Sequence, residues 1–309
     1  MKKIFIDGRN GTTGLKIDER LLRRDDVEIL VLPEELRKDP VAKKQMLNKA
    51  DVVFLCLPDD AAKEAVSMIE NPNVCVIDTS TAHRTNPAWA YGFPELGEDF
   101  RQKIKNSKRI AVPGCHASGF IALIYPLVKN GIIDKEIDLS CYSLTGYSGG
   151  GKKMIAEYES NERDALLDMP RIYGLTENHK HLPEMTAVCG LAKAPVFVPV
   201  VCDFYSGMQV TVTLSKDQLI KGGIEDIKAI YKSLYGSKLV YYSEENENGF
   251  LSAGKLSGRD DMMISVFGNQ DRILLIARYD NLGKGASGAA IECLNIIFGD
   301  EDSKTLITE

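Results

Sequence analysis

The sequence predicts an α/β chain in two parts: a doubly wound parallel sheet, then an α+β domain with a largely antiparallel sheet. Three observations carry this. Short apolar runs alternate with helical patterns over the first third of the chain. A glycine-spaced loop joins the first such run to the first helix. Beyond Gly114 the apolar runs come instead in pairs around short polar turns, as hairpins do.

Ile4–Asp7 reads as the first strand and Leu15–Arg24 as the first helix. Val27–Leu32 is again strand-like, and Val41–Asn48 is helical. Asp51–Pro58 is apolar nearly throughout, the signature of a strand buried on both faces. Asp60–Glu70 places apolar residues at 62, 65, 66 and 69, on one helix face. Val74–Asp78 and Arg109–Val112 complete the parallel sheet. Ala117–Lys129 is a strongly apolar helix, Glu136–Tyr147 a strand and Lys152–Leu167 a helix. Val196–Phe204 and Met208–Leu214 flank Tyr205-Ser206-Gly207, a hairpin signal. Met262–Phe267 and Arg272–Tyr279 repeat it around Gly268–Asp271, with a helix at Ile224–Tyr235 between the pairs. The last helix, Ala286–Phe298, is expected to return to the first domain. The expected division is therefore 1–115 with 284–309 returning to it, and 116–283 for the second domain.

A chain of 309 residues suits two domains and needs no disulfide or metal staple. Hydrophobic residues make up 44% and charged residues 27%, which excludes disorder and fibrous classes. The net charge of −6 argues against nucleic acid and anionic membranes as partners. Only three apolar residues follow Lys2-Lys3 before Asp7, too few for a signal core, and no apolar run reaches the length of a membrane span. A cytoplasmic location is the expectation. The seven cysteines are odd in number with no Cys-x-x-Cys spacing, which fits free thiols.

Gly8, Gly11 and Gly14 stand at G-x-x-G-x-x-G spacing between the first strand and helix. Glycines permit a tight turn and close backbone approach to a pyrophosphate, and the helix start, with Thr12 and Thr13, supplies N–H donors. This points to a Rossmann-like dinucleotide site. Glu34 and Glu35 lie about 20 positions on, where an acid holds ribose hydroxyls and favours NAD. Arg9, Arg37 and Lys38 are placed to meet a 2′-phosphate instead. The residues by themselves leave that choice open, and a solvated charge run is the plain alternative.

Cys115 follows Pro113-Gly114 at the start of the apolar helix. A helix N-terminus favours thiolate, and its N–H groups can hold an oxyanion. The other six cysteines lie inside apolar patterns and read as core. Two of the four histidines, His179 and His181, precede Leu182-Pro183-Glu184, which has the look of a helix start. One of them reads as a general acid or base, oriented by Glu184; a metal set of His-x-His with Glu184 and plain loop histidines are the alternatives. No metal is expected, because H-x-H alone is a weak signal and no further Cys or His lies nearby at ligand spacing. His116, adjacent to Cys115 on a helix, points elsewhere and is the weaker base.

The ordered set Gly8–Gly14, Asp78–Arg84, Tyr91–Leu96, Pro113–Cys115, Ser148–Lys152, His179–Glu184 and Asn281–Gly288 spans residues 1 to 299. It resembles the semialdehyde dehydrogenase superfamily, and within it the shorter N-acetyl-gamma-glutamyl-phosphate reductases of arginine biosynthesis. Aspartate-semialdehyde dehydrogenases place Asn before the nucleophile, where this chain has Gly114. The resemblance implies an NADP(H)-dependent oxidoreductase that turns a small-molecule acyl phosphate into a semialdehyde through a cysteine thioester. It implies Cys115 as nucleophile and His179 as acid/base, with His181 as alternate. It places Arg84 on the substrate phosphate, with Ser148, Lys152 and Glu184 as further substrate-binding candidates. Asn281, Gly283 and Gly285 would return to the nicotinamide. A homo-oligomer, dimer or tetramer, is also implied. Two rivals stand beside this reading: a reductase of a carrier-linked or aspartyl acyl phosphate, and a non-catalytic NADP(H) sensor that needs neither Cys115 nor His179.

Overall fold

The computed structural model describes residues 1–37 and 39–308. The chain divides into two compact units. The first comprises Met1–Pro94, Glu98–Gly114 and Ala286–Leu306; the second comprises Glu95–Gly97, Cys115–Gly285 and the chain end from Ile307.

The first unit runs β1 (Lys2–Asp7), α1 (Thr12–Leu21), β2 (Val27–Leu30), α2 (Pro40–Lys49), β3 (Val52–Leu55), α3 (Asp59–Ser67), β4 (Cys75–Asp78), β5 (Ala90–Tyr91), α4 (Glu98–Asn106) and β6 (Arg109–Ala111). Among the described residues its strands form one parallel sheet in the order β2-β1-β3-β4-β6-β5. The strands are apolar on both sides because both faces are covered. Ile4, Ile6, Val52, Phe54 and Ile77 enter a core with Ile17 and Leu21 of α1 and Ala290 and Leu294 of the helix at Gly288–Phe298. Phe5, Val53, Leu55 and Val76 enter the opposite core with Leu47 of α2 and Ala62 and Ala65 of α3. The period of two in each strand thus feeds two helix layers. The strand order reverses between β1 and β3, which makes the crevice at their carboxyl ends the natural ligand site.

The second unit continues with α5 (Cys115–Lys129), β7 (Ser140–Gly146), α6 (Gly151–Tyr158), β8 (Arg171–Ile172), α7 (Leu182–Cys189), β9 (Val196–Cys202), β10 (Met208–Ser215), α8 (Ile224–Leu234), β11 (Val240–Tyr242), β12 (Met262–Gly268) and β13 (Arg272–Tyr279). Its sheet has the order β11-β12-β13-β10-β7-β9-β8. It is mixed and mostly antiparallel, with β7–β9 and β11–β12 the parallel pairs. Pro126 lies inside α5 and removes the N–H that would bond the Ala122 carbonyl. The buried Tyr235 hydroxyl donates to that carbonyl at 2.6 Å.

Three expectations are corrected. Val196–Phe204 and Met208–Leu214 do not pair with each other, because β7 lies between them. The Tyr205-Ser206-Gly207 turn instead crosses the end of β7, and Gly146, Tyr147 and Ser148 donate to the carbonyls of Gly207, Phe204 and Tyr205. The helix expected at Lys152–Leu167 stops at Tyr158, where Arg163 folds back onto the Tyr158 carbonyl and a separate short turn at Ala165–Asp168 buries Leu167. The first helix starts at Thr12 rather than Leu15, so the glycine loop forms its opening turn. Sequence reading also missed α4, whose buried residue is Ile104 alone, and the two-residue β5.

Candidate active site

Gly8 ends β1 with φ +87, and a Cβ there would lie 2.2 Å from the Cys56 carbonyl oxygen. A Cβ on Gly14 would lie 2.4 Å from the Gly8 carbonyl oxygen. The loop is thus packed so closely that only glycine fits, which brings bare backbone to the head of α1. Gly11 caps that helix without a side-chain hydrogen bond, and Thr12 and Thr13 are its half-buried first residues. First-turn N–H groups have no intrahelical partner, so this cradle fits a dinucleotide pyrophosphate. Arg9 pairs with Asp18 at 2.8 Å. Glu34 lies 3.4 Å from Arg37 and accepts from Asn10 at 3.5 Å, so part of its charge is already offset. Lys38 lies outside the described residues.

The Asp78–Arg84 motif forms a buried knot in the same unit. Asp78 accepts from the N–H and hydroxyl of Ser80 and lies 2.6 Å from His83 Nδ1. The His83 ring stacks on Trp89 at 4.0 Å. Arg84 is not a surface arginine: it is buried, and donates to the carbonyls of Thr79 and Val112 at 2.9 Å. The sequence places Asp78 and His83 in a motif but gives them no role of their own.

In the second unit Cys115 is the first residue of α5, half-buried at its N-terminus. Burial raises the thiols of Cys56 (to about 12), Cys75 (to about 11), Cys141, Cys189 and Cys202. Cys293 is fully buried. Next to Cys115, His116 is held at both nitrogens, Nδ1 at 2.6 Å from Ser143 Oγ and Nε2 at 2.7 Å from Tyr173 Oη. Burial first, and His179 second, push its imidazole down to about 3. Burial also raises the Tyr173 phenol, with the nearby Cys115 as second cause.

His179 joins this cluster, its ring 5.6 Å from that of His116 and 4.8 Å from that of His181. Burial, then Lys180, lowers it to about 4. The His181 N–H donates to His179 Nδ1 at 3.2 Å, so the neutral ring carries its proton on Nε2. His181 is buried and caps α7, with Pro183 and the buried Glu184 in the first turn. The approach to His179 is held by Glu177, which adopts a left-handed φ of 52 and accepts from the Phe197 N–H at 3.0 Å. Phe197 then presents its ring edge-on to both His116 and His179.

The remaining candidates divide. Ser148 is buried and accepts from Asn281 Nδ2 at 3.0 Å, while Asn281 Oδ1 accepts from the Gly207 N–H. Both side chains therefore tie the Ser148 turn to the end of β13. Lys152 is exposed in the first turn of α6. A Cβ on Gly283 would lie 1.9 Å from the Arg259 carbonyl oxygen, and one on Gly285 3.2 Å from Cys115 Cβ. Close packing thus demands glycine at 283 and leaves a side chain little room at 285. Sequence reading missed Tyr173, Ser143, Glu177 and Tyr279. None belongs to a spaced motif, and each enters through tertiary contact.

Comparison with known proteins places the chain in a family. Residues 115–281 match the semialdehyde dehydrogenase dimerisation domain and residues 23–107 the semialdehyde dehydrogenase NAD-binding domain. An N-acetyl-gamma-glutamyl-phosphate reductase 2 from Nostoc sp. is 43% identical, covering 96% of this chain and 97% of its own. The N-acetyl-gamma-glutamyl-phosphate reductase of Rhizobium etli is 44% identical, covering 96% and 98%. Aspartate semialdehyde dehydrogenase II of Vibrio cholerae, solved as a complex with ASA, shares the fold with a TM-score of 0.72 at 15% identity, covering 97% of this chain and 99% of its own. The aspartate semialdehyde dehydrogenase of Francisella tularensis does so with a TM-score of 0.72 at 16% identity, covering 96% and 100%. The chain belongs to the N-acetyl-gamma-glutamyl-phosphate reductase family of the semialdehyde dehydrogenases.

Proposed function

We propose that this chain reduces N-acetyl-L-glutamyl 5-phosphate to N-acetyl-L-glutamate 5-semialdehyde and phosphate, with NADPH, as a step of arginine biosynthesis. One observation carries the chemistry. Of the chain's thiols, Cys115 is the one that sits half-buried at a helix N-terminus, and the next residue, His116, stands in a cluster of three imidazoles.

The Cys115 thiolate bonds to the acyl carbon, and the first-turn N–H groups of α5 receive the charge that develops on the carbonyl oxygen. The carbon–oxygen bond to phosphate then breaks. His179, neutral and protonated on Nε2, donates a hydrogen bond to the departing oxygen. NADPH, when bound, supplies the hydride. The resulting thiohemiacetal oxygen is held by the same donors until the carbon–sulfur bond breaks and the aldehyde leaves. Gly8, Gly11, Thr12, Thr13 and Gly14 would cradle the pyrophosphate, and Arg37 and Lys38 would meet the 2′-phosphate. Arg84, with Ser148, Lys152 and Glu184 as further candidates, would hold the substrate, and Asn281, Gly283 and Gly285 would line the nicotinamide side.

A second copy of the chain would cover the face of the second-unit sheet where Tyr142 and Val196 are more than half exposed and Leu274 is 40% exposed. The match to a dimerisation domain supports this. No helix among the described residues is long and apolar enough to cross a membrane. With seven free thiols, a reducing cytoplasmic setting suits the chain.

The test follows nicotinamide reduction with N-acetylglutamate semialdehyde and phosphate, with NADP and NAD side by side. Phosphate-dependent reduction preferring NADP, lost in Cys115→Ala while NADPH still binds, is the expected result. Full activity in Cys115→Ala would overturn the mechanism.

A further inference from the structure

The Tyr279 hydroxyl donates to the Cys115 carbonyl and accepts from the Gly119 N–H at 3.0 Å. In a regular helix those two groups pair with each other, four residues apart. The phenol oxygen therefore bridges the donor and acceptor that close the first turn of α5, the turn that carries Cys115. Two glycines make room for it. A Cβ on Gly119 would lie 2.7 Å from Tyr279 Oη. A Cβ on Gly285 would lie 3.2 Å from Cys115 Cβ and 3.3 Å from Tyr279 Cε2. Tyr279 is fully buried, and burial keeps its phenol protonated and able to donate.

We propose that Tyr279 is the positioning residue of Cys115, its hydroxyl bonding the Cys115 carbonyl and the Gly119 N–H and so fixing the first turn of α5 in the geometry that aims the thiol. This rests on the reading of Cys115 as nucleophile. The hydrogen bond to the Cys115 carbonyl fixes the peptide plane between residues 115 and 116. That plane sets the direction of the Cys115 side chain against the first-turn N–H groups. Without the phenol oxygen the Cys115 carbonyl and the Gly119 N–H lose this tie to β13, and the peptide plane is free to tilt. A reacting atom misplaced by about 1 Å costs about 100-fold in rate. Gly285 acts on the same thiol from the other side, by leaving space at its Cβ.

The experiment compares wild type, Tyr279→Phe and Gly285→Ala. In Tyr279→Phe, kcat is expected to fall about 10- to 100-fold, with KM for the semialdehyde and NADPH affinity by fluorescence little changed. The pH midpoint of Cys115 alkylation by iodoacetamide is expected to rise, because the thiolate no longer sits on the helix N–H groups. A purely structural role would lower the unfolding temperature and leave that midpoint in place. Wild-type kcat with an unmoved alkylation midpoint in Tyr279→Phe would overturn the proposal. If that variant does not fold, Gly285→Ala decides it by the same two readouts. Full activity in Cys115→Ala would overturn the nucleophile reading itself.

Discussion

His116 ties stability of the second unit to pH. Its ring is buried, contacted at both nitrogens, and held down to about 3 against an ordinary 6.5. The native state therefore keeps it neutral through the whole mildly acidic range, while the unfolded chain takes up a proton below about 6.5. The unfolded state binds more protons there, so its population gains as pH falls. Stability from this residue is complete above the unfolded value and is lost progressively down to about 3. At about 1.4 kcal/mol per pH unit, the loss between pH 7.5 and pH 4.5 is about 3 kcal/mol. His116→Gln removes the titration and keeps a polar side chain. Carboxylates titrate in both proteins and cancel in the comparison. Urea unfolding at the two pH values should be read with probes specific to each unit. The single tryptophan, Trp89, reports the first unit. Pulse labelling of the buried Cys141 and Cys189 reports the second. His116→Gln should be the less stable protein at pH 7.5, yet lose about 3 kcal/mol less on acidification. Parallel losses in the two proteins would refute the reasoning.

Two further outcomes follow from particular contacts. Tyr235→Phe leaves the Ala122 carbonyl without the hydroxyl that replaces the missing Pro126 N–H. It should cost about 1–3 kcal/mol in urea unfolding, and less when Pro126→Ala restores the donor. Gly8→Ala forces a Cβ to within 2.2 Å of the Cys56 carbonyl at a φ of +87. NADPH binding by fluorescence titration should weaken at least tenfold, about 1.4 kcal/mol or more; unchanged affinity would contradict the assignment of the loop.

The parallel sheet was legible because its signal is local. Each strand from β1 to β4 carries a short apolar stretch, and α1 and α3 each show one apolar stripe. The thiol at a helix start was legible for the same reason: Pro113-Gly114 marks the turn, and the following apolar period marks the helix that Cys115 begins. The spaced histidines and the Pro183 helix start were legible as a local pattern too.

What local pattern could not supply was partner choice. The runs around Tyr205–Gly207 have the form of a hairpin, but the edge of each strand was already claimed by β7, more than fifty residues earlier in the chain. Strand pairing is a competition among all edges, and a turn of three residues does not decide it. The state of the imidazoles was equally invisible. A histidine is ordinary until burial and its neighbours set its charge, and Ser143, Tyr173 and Phe197 reach His116 from separate elements. Tyr279 is apolar strand filler in the sequence, 164 residues from Cys115, and becomes the clamp on the helix start only when β13 packs beneath α5. The sequence by itself determined the two-part architecture, the glycine loop and the thiol at a helix start, since each is written in residues that are neighbours along the chain. Tertiary structure alone decided the strand order, the lowered titration of His116 and His179 and the setting of Cys115, since each depends on groups that only folding brings within a few ångströms.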